Sequence, residues 1–207
     1  MSKKLVIAVD GPGAAGKGTL CTLLSKHFNI PHLNTGGLYR GTTYKALQNN
    51  VSLDDVDSLV SIAKNLTMHD INNPEIFNEE IGIKTSSVAK IQEVRDALLQ
   101  YQRDFADQPD GAILDGRDIG TTICPDANYK FFIVASAEER AKRRYKETIE
   151  KGLSADYEDI FQKILERDKK DAEREASPFR KASDAIEIDT TTRTINEVFE
   201  YVLSCIK

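Results

Sequence analysis

Apolar residues in this chain fall into short unbroken runs separated by stretches of helical spacing. Residues 4–9 form one run without polar alternation, which predicts a strand buried on both faces of a parallel sheet. Leu20, Leu23, Leu24 and Phe28 then repeat as one face of a helix. Pro31 to Asn34 reads as a weak second strand, with Thr35 placed to cap the helix that follows. Ser52 and Asp55 resemble a capping box before a short amphipathic helix through Val56, Leu59, Val60 and Ala63. From about Leu66 to Ile83 the pattern fades around the turn Asn72-Asn73-Pro74, predicting a small irregular surface insertion. Helical spacing returns near Ser87 and runs through Ile91, Val94, Leu98 and Leu99 to about Phe105.

The second half repeats the alternation. Gly111–Asp115 and Tyr129–Val134 are further buried strands, and Ala185–Asp189 is a shorter last one. Ser136 with Glu139 signals a capped helix ending near Gly152. The next helix presents Tyr157, Ile160, Phe161, Ile164 and Leu165 on one face. Beyond Leu165 it carries only charge, so it leaves the core there. Thr194 and Glu197 cap a final amphipathic helix through Ile195, Val198, Phe199, Val202, Leu203 and Ile206. Strands alternating with helices predict an α/β fold, a five-stranded parallel sheet with helices on both faces. Ligands of such sheets bind beyond the carboxyl ends of the strands, where Asp115 and Asp189 should share a rim with the loop after residue 9.

Composition narrows the function. The 207 residues suit one compact domain, and a formal net charge of −5 disfavours broad nucleic-acid or membrane-surface binding. Cys21, Cys124 and Cys205 are far apart and odd in number, and the histidines are scattered, suggesting neither a disulfide framework nor a zinc site. The N-terminal apolar run is too short for a signal peptide, and no stretch approaches transmembrane length. The expectation is a cytoplasmic protein, with a monomer as the default because no exposed apolar seam is evident.

The chemistry begins in the first loop. Gly11-Pro12-Gly13-Ala14-Ala15-Gly16-Lys17-Gly18-Thr19 has the G-x-x-x-x-G-K spacing of a phosphate-binding loop between a strand and a helix. Backbone N–H groups wrap polyphosphate, the lysine reaches the outer phosphates, and the helix aims its positive end at the anion. Gly18 stands where many such loops carry the Mg²⁺-holding hydroxyl, and Thr19 comes one residue later. Asp115, at a strand end, is the expected carboxylate contact to Mg²⁺, directly or through water. Arginine is the second theme: Arg140 and Arg144 share one helix face, with Arg143 beside them, and Arg167, Asp171 and Arg174 share another. A planar guanidinium suits phosphate oxygens better than a point charge does. Triphosphate binding plus arginines suggests phosphoryl transfer, and a phosphate acceptor would need no general base because its second pKa is about 6.

These stretches resemble the bacterial cytidylate kinases, among the P-loop nucleoside monophosphate kinases. The matching segments are Asp10-Gly11-Pro12 with Gly16–Thr19, Thr35–Arg40, Val94-Arg95, Asp115–Thr121, Glu139-Arg140 with Arg143-Arg144, and Glu166 through Arg174. The resemblance implies γ-phosphoryl transfer from ATP to CMP or dCMP with Mg²⁺. It implies that Arg40 and Arg117 hold the acceptor phosphate, with Thr35 and Tyr39 nearby. Ser86, Arg95, Asp118 and Arg174 would surround the base, and Arg167 and Asp171 the sugar. Lys17 and Arg117 would act on the transferring group, joined by Arg140 and Arg144 on lid closure. It further implies one domain over residues 1–207, with a monophosphate-binding insertion at about 36–105 and a lid at about 152–175. Chemically, a carboxylate favours the cytosine amino group over the uracil carbonyl, a discrimination of ~1–3 kcal/mol. The family's usual insertion is a small antiparallel sheet, whereas residues 66–83 lack hairpin alternation. Alternative readings are a related kinase acting on UMP or another phosphate acceptor, and a nucleotide-dependent switch.

Overall fold

The computed structural model describes residues 4–172 and 179–206. The chain divides into two compact units, one made of the segments up to His32 and from Pro109 onward, the other of Leu33–Gln108.

Apolar strands stack side by side. β1 (Leu5–Asp10), β2 (His32–Asn34), β3 (Gly111–Gly116), β4 (Tyr129–Val134) and β5 (Ile186–Asp189) form one sheet in the order β2-β3-β1-β4-β5. β1 lies parallel to β3 and β4, and β4 to β5. β2 enters the sheet through Pro31, whose carbonyl accepts from Ile113 N at 2.9 Å. Ile7, Val9, Ile113, Phe131, Ile133 and Ile188 build the core with Leu20 and Leu24 of α1 (Lys17–Phe28) and Val198 and Val202 of α9 (Ile195–Cys205). Each such fully buried side chain contributes about 1.5–3 kcal/mol relative to exposure. The capping box at the start of α9 is present in both halves, Thr194 and Glu197 satisfying each other's backbone N–H groups. Parallel strands put Asp10, Gly116 and Asp189 at one rim, as the strand ends imply.

The second unit is helical. α2 (Thr35–Gln48) packs against α3 (Val56–Lys64), α4 (Met68–Asn72) and α5 (Glu79–Val88), and α6 (Gln92–Ala106) packs against α3. Three sequence readings are corrected here. Asn34, not Thr35, caps α2, its side chain accepting from Gly37 N, while Thr35 is the first helical residue. Asp55 alone caps α3 through Ser58 N, and Ser52 instead accepts from Asp54 N. The stretch expected to be irregular is α4, a 3₁₀ turn at Pro74–Phe77 and the start of α5, each with its own side-chain cap: Thr67, Asn73 and Asn78. Helical structure therefore begins before Ser87, and α5 ends near where a helix was expected to start.

Candidate active site

β1 delivers the chain into the loop. Gly11 has a φ of 155°, and a Cβ there would lie 2.2 Å from the Ile133 carbonyl oxygen, so no side chain fits. Gly16, left-handed at φ 91°, precedes α1 and offers no side-chain cap to its first N–H groups. Those dipoles face the loop. Lys17 folds back over it, Nζ donating to the Pro12 carbonyl at 2.8 Å. Burial, then the Arg117 charge, lower the Lys17 pKa from the usual 10.5 to about 7.

Arginines converge on this loop from three later segments. Atoms at the Cβ position of Gly13 would lie 3.7 Å from Arg117 Nη2 and 3.8 Å from Arg167 Nη1. Arg117 Nε donates to Asp171 at 3.0 Å, and its guanidinium sits 5.8 Å over the Phe179 ring. Arg167 is half-buried, and burial followed by the Arg117 charge lowers its pKa to about 10. On α7 (Ala137–Glu150), buried Arg140 donates to the carbonyls of Ala135 at 3.0 Å and Gly13 at 3.5 Å, and to both oxygens of Asp168. Arg144 pairs with Glu147 at 3.4 Å, one turn along α7, and its charge adds to the field on Arg167. Asp168 and Asp171 belong to α8 (Tyr157–Ala172), where Ile160 is buried and Leu165 is exposed. Its first turns are attached through buried Ile160 and the Tyr145–Tyr157 ring contact, and its last turns through the ion pairs of Asp168 with Arg140 and Asp171 with Arg117. Arg174 lies outside the described residues.

Arg143 and Thr190 complete the loop's support, and the sequence reading gave neither a role. Arg143 Nη2 donates to the Thr190 carbonyl at 2.6 Å and Nη1 to its hydroxyl at 3.1 Å. That hydroxyl lies 3.1 Å from the Ala15 carbonyl and 3.2 Å from that of Val134. A Cβ on Gly16 would meet Arg143 Nη1 at 3.8 Å. The signal was indirect: Thr190 follows a strand end on the rim. Neighbouring Asp189, singled out for that rim, is exposed and accepts from Thr191.

Asp10 is the buried anchor under the Asp-Gly-Arg-Asp turn. Its carboxylate accepts from Ile119 N and Gly120 N, both at 2.8 Å, just beyond Arg117 and the buried Asp118. Burial raises its pKa from 3.8 to about 6, against the pull of those two hydrogen bonds. Because the folded state holds the proton more tightly, Asp10 withdraws stability as pH rises from about 4 to about 6, and nothing further changes above that. The full effect is about 3 kcal/mol. Asp10→Asn should therefore shift unfolding free energy in its own favour by about that amount between pH 4 and pH 7. Urea melts at the two pH values check this; an equal wild-type-to-variant difference at both would refute it.

The cysteine and histidine reading also changes. Cys21, His32 and Asp115 meet, with one ligand atom of each within 4.8 Å of the others. His32 Nε2 is 2.7 Å from Asp115 Oδ2. Thr19 is exposed in the first turn of α1.

The second unit groups most of the other predicted residues. Arg40 Nη1 donates to the carbonyls of Ile76 at 2.8 Å and Asn78 at 3.1 Å, and its guanidinium lies 5.9 Å over Phe77. A Cβ on Gly82 would lie 2.7 Å from Arg40 Nη2, so glycine makes room for it. Ser86, one turn along α5, donates to the Gly82 carbonyl at 3.5 Å. Arg95 is buried on α6, 5.7 Å over the Tyr39 ring, and donates to the Ala89 carbonyl at 3.3 Å. Thr35 is buried at the start of α2.

A family model described as cytidylate kinase matches residues 7–207. The chain belongs to the cytidylate kinase family. The cytidylate kinase of Clostridium perfringens strain SM101 is 45% identical over 214 residues, covering 99% of this chain and 98% of the relative. That of Bacillus subtilis strain 168 is 41% identical over 221 residues, covering 100% and 98%. Among solved structures, an uncharacterized protein from Eubacterium ventriosum aligns with a TM-score of 0.53 at 14% identity, covering 98% of each chain. A gluconokinase from Sinorhizobium meliloti aligns at 0.50 and 13% identity, covering 98% of this chain and 92% of its own. These two likenesses concern the fold alone. In this family member no helix among the described residues is long and apolar enough to cross a membrane.

Proposed function

We propose that the protein is a cytoplasmic, monomeric kinase that moves the γ-phosphoryl group of ATP to CMP and dCMP, with Mg²⁺, by direct in-line transfer. The observation that carries this reading is the convergence of Arg117, Arg167 and Arg143 on the glycines of the phosphate loop beside buried Lys17. Asp171 and Glu139 offset part of the charge on Arg117 and Arg143, yet the Arg117 charge still lowers the pKa of both Lys17 and Arg167, and a polyphosphate is an anion that relieves that repulsion. Loop N–H groups and the start of α1 hold the triphosphate. Lys17 and Arg117 take up charge on the transferring group, with Arg140 and Arg144 approaching from α7. Mg²⁺ is a hard cation, and the Thr19 hydroxyl and Asp115 carboxylate are oxygen donors of the type it takes, directly or through water. When bound it neutralises charge on the donor phosphates.

The acceptor phosphate is its own nucleophile near neutral pH, so the chain need only position it. The family resemblance assigns that task to Arg40 and Arg117, together with Thr35 and Tyr39. Ser86, Arg95, Asp118 and Arg174 recognise the base, and Arg167 and Asp171 the sugar. We take the helical unit as the monophosphate-binding insertion, about residues 36–105, and residues 152–175 as the lid. The last turns of α8 suit a lid because ion pairs such as those of Asp168 and Asp171 exchange more readily than a packed apolar face. Asp168 and Asp171, which hold Arg140 and Arg117, would yield to substrate oxygens on closure.

Arg95→Ala tests the base contact. The expected result is a KM for CMP raised by about 10–100-fold with the KM for ATP within about threefold, since one good polar contact to a base contributes ~1–3 kcal/mol. Steady-state ADP release measures both constants. Unchanged CMP kinetics would remove Arg95 from the site, and no CMP-dependent turnover by the unaltered protein would end the reading.

A further inference from the structure

We propose that Cys21, His32 and Asp115 form a binding site for a soft divalent cation, with Zn²⁺ the best fit. They come from three rigid elements, α1, β2 and β3, and bring one sulfur, one imidazole nitrogen and one carboxylate oxygen within 4.8 Å of one another. Tetrahedral Zn²⁺ with ordinary bond lengths sets its ligand atoms about 3.3–3.6 Å apart. The cluster is thus within about an ångström of a coordinating arrangement, reached by drawing Cys21 inward and opening the 2.7 Å His32–Asp115 contact. Three protein ligands leave the fourth position to water.

The donor set decides the kind of ion. Mg²⁺ and Ca²⁺ take oxygen and do not favour sulfur, whereas Zn²⁺ and Co²⁺ accept thiolate, imidazole and carboxylate together. Charge also fits: a dication with one thiolate and one carboxylate is neutral, which suits a place where Cys21 and Asp115 are both buried. Nucleophilic chemistry by the same trio is disfavoured, because Cys21 has no exposed surface and burial pushes its thiol pKa up. Binding balances simply: the Cys21 S–H bond breaks, the sulfur–metal bond forms, and the proton goes to buffer.

The test is a titration of reduced, metal-free, full-length protein with CoCl₂, read by absorption, followed by displacement with ZnCl₂. The expected result is one equivalent of Co²⁺ giving a thiolate-to-cobalt charge-transfer band that Zn²⁺ abolishes. Cys21→Ser should lose the band and weaken Zn²⁺ by on the order of a hundredfold or more, beyond the 10–100-fold typical of outer-sphere changes. Cys205→Ser should alter neither. A band that survives Cys21→Ser, or that requires Cys205, would overturn the site. If Cys21→Ser melts below the assay temperature, His32→Gln decides, because an unchanged cobalt spectrum in that variant is equally fatal. Zn²⁺ would also occupy Asp115 and so inhibit phosphoryl transfer until chelated. This last effect rests on the proposed kinase activity, whereas the cobalt spectrum stands independently of it.

Discussion

Lys17→Met is expected to lower kcat for phosphoryl transfer by about a thousandfold or more while leaving the protein folded and more stable. The two effects share one cause. Lys17 is buried, its Nζ meets the Pro12 carbonyl at 2.8 Å, and burial with the Arg117 charge brings its pKa to about 7. The folded loop therefore disfavours the ammonium, which a bound phosphate would stabilise. Methionine matches its length without charge and removes that penalty, raising stability by about 1–2 kcal/mol, the usual size of such site-specific trade-offs. On the proposed reading Lys17 shares the transferring group with Arg117, and a methionine there would leave its part of the developing charge unmet. Steady-state kinetics and thermal melts check the pair. Activity within tenfold of the original, or a melting temperature several degrees lower, would contradict it.

Arg117→Met should lower kcat/KM for CMP by about 10²–10³-fold, the loss typical of a preorganised charged donor. Arg117 is the hub of the charged cluster: it contacts Asp171, reaches the space over Gly13, and lowers the pKa of both Lys17 and Arg167. Stability should change little, because losing a partly buried ion pair is offset by relief of two like-charge repulsions. Arg117→Lys should restore less than about a tenth of the activity, since an ammonium keeps the charge but not the bidentate fork. Kinetics on both variants with urea melts measure this. Full rescue by lysine would reduce Arg117 to a point charge, and a large loss of stability would make it structural.

Contiguity decided what the sequence made legible. The strands and the phosphate loop could be read because each is one unbroken stretch whose neighbours fix its meaning. Between Leu66 and Ile83 the buried isoleucines Ile71, Ile76 and Ile81 are spaced by five, which matches neither a helix nor a strand. They belong to three short helical pieces, each restarted by its own cap, so no common period exists. Helical spacing correctly put Arg140 and Arg144 on one face of α7. It gave no hint that Arg143, a quarter turn away, reaches Thr190 from the far end of the chain. Cys21, His32 and Asp115 looked scattered for the same reason: a weak three-residue strand brings His32 beside a carboxylate 83 positions later. Arg40 and Arg95 were singled out only through the resemblance, since their surroundings come from turns and helix ends.

The most direct test is an ADP-release assay with ATP and CMP, dCMP, UMP, AMP and GMP, each run to a full kcat/KM. CMP and dCMP should lead every other acceptor by at least about tenfold, the discrimination that one carboxylate and its arginine partners give a cytosine edge. Equal or faster turnover of UMP or AMP would contradict the cytosine assignment, and ATP binding without acceptor-dependent ADP release would contradict the kinase itself.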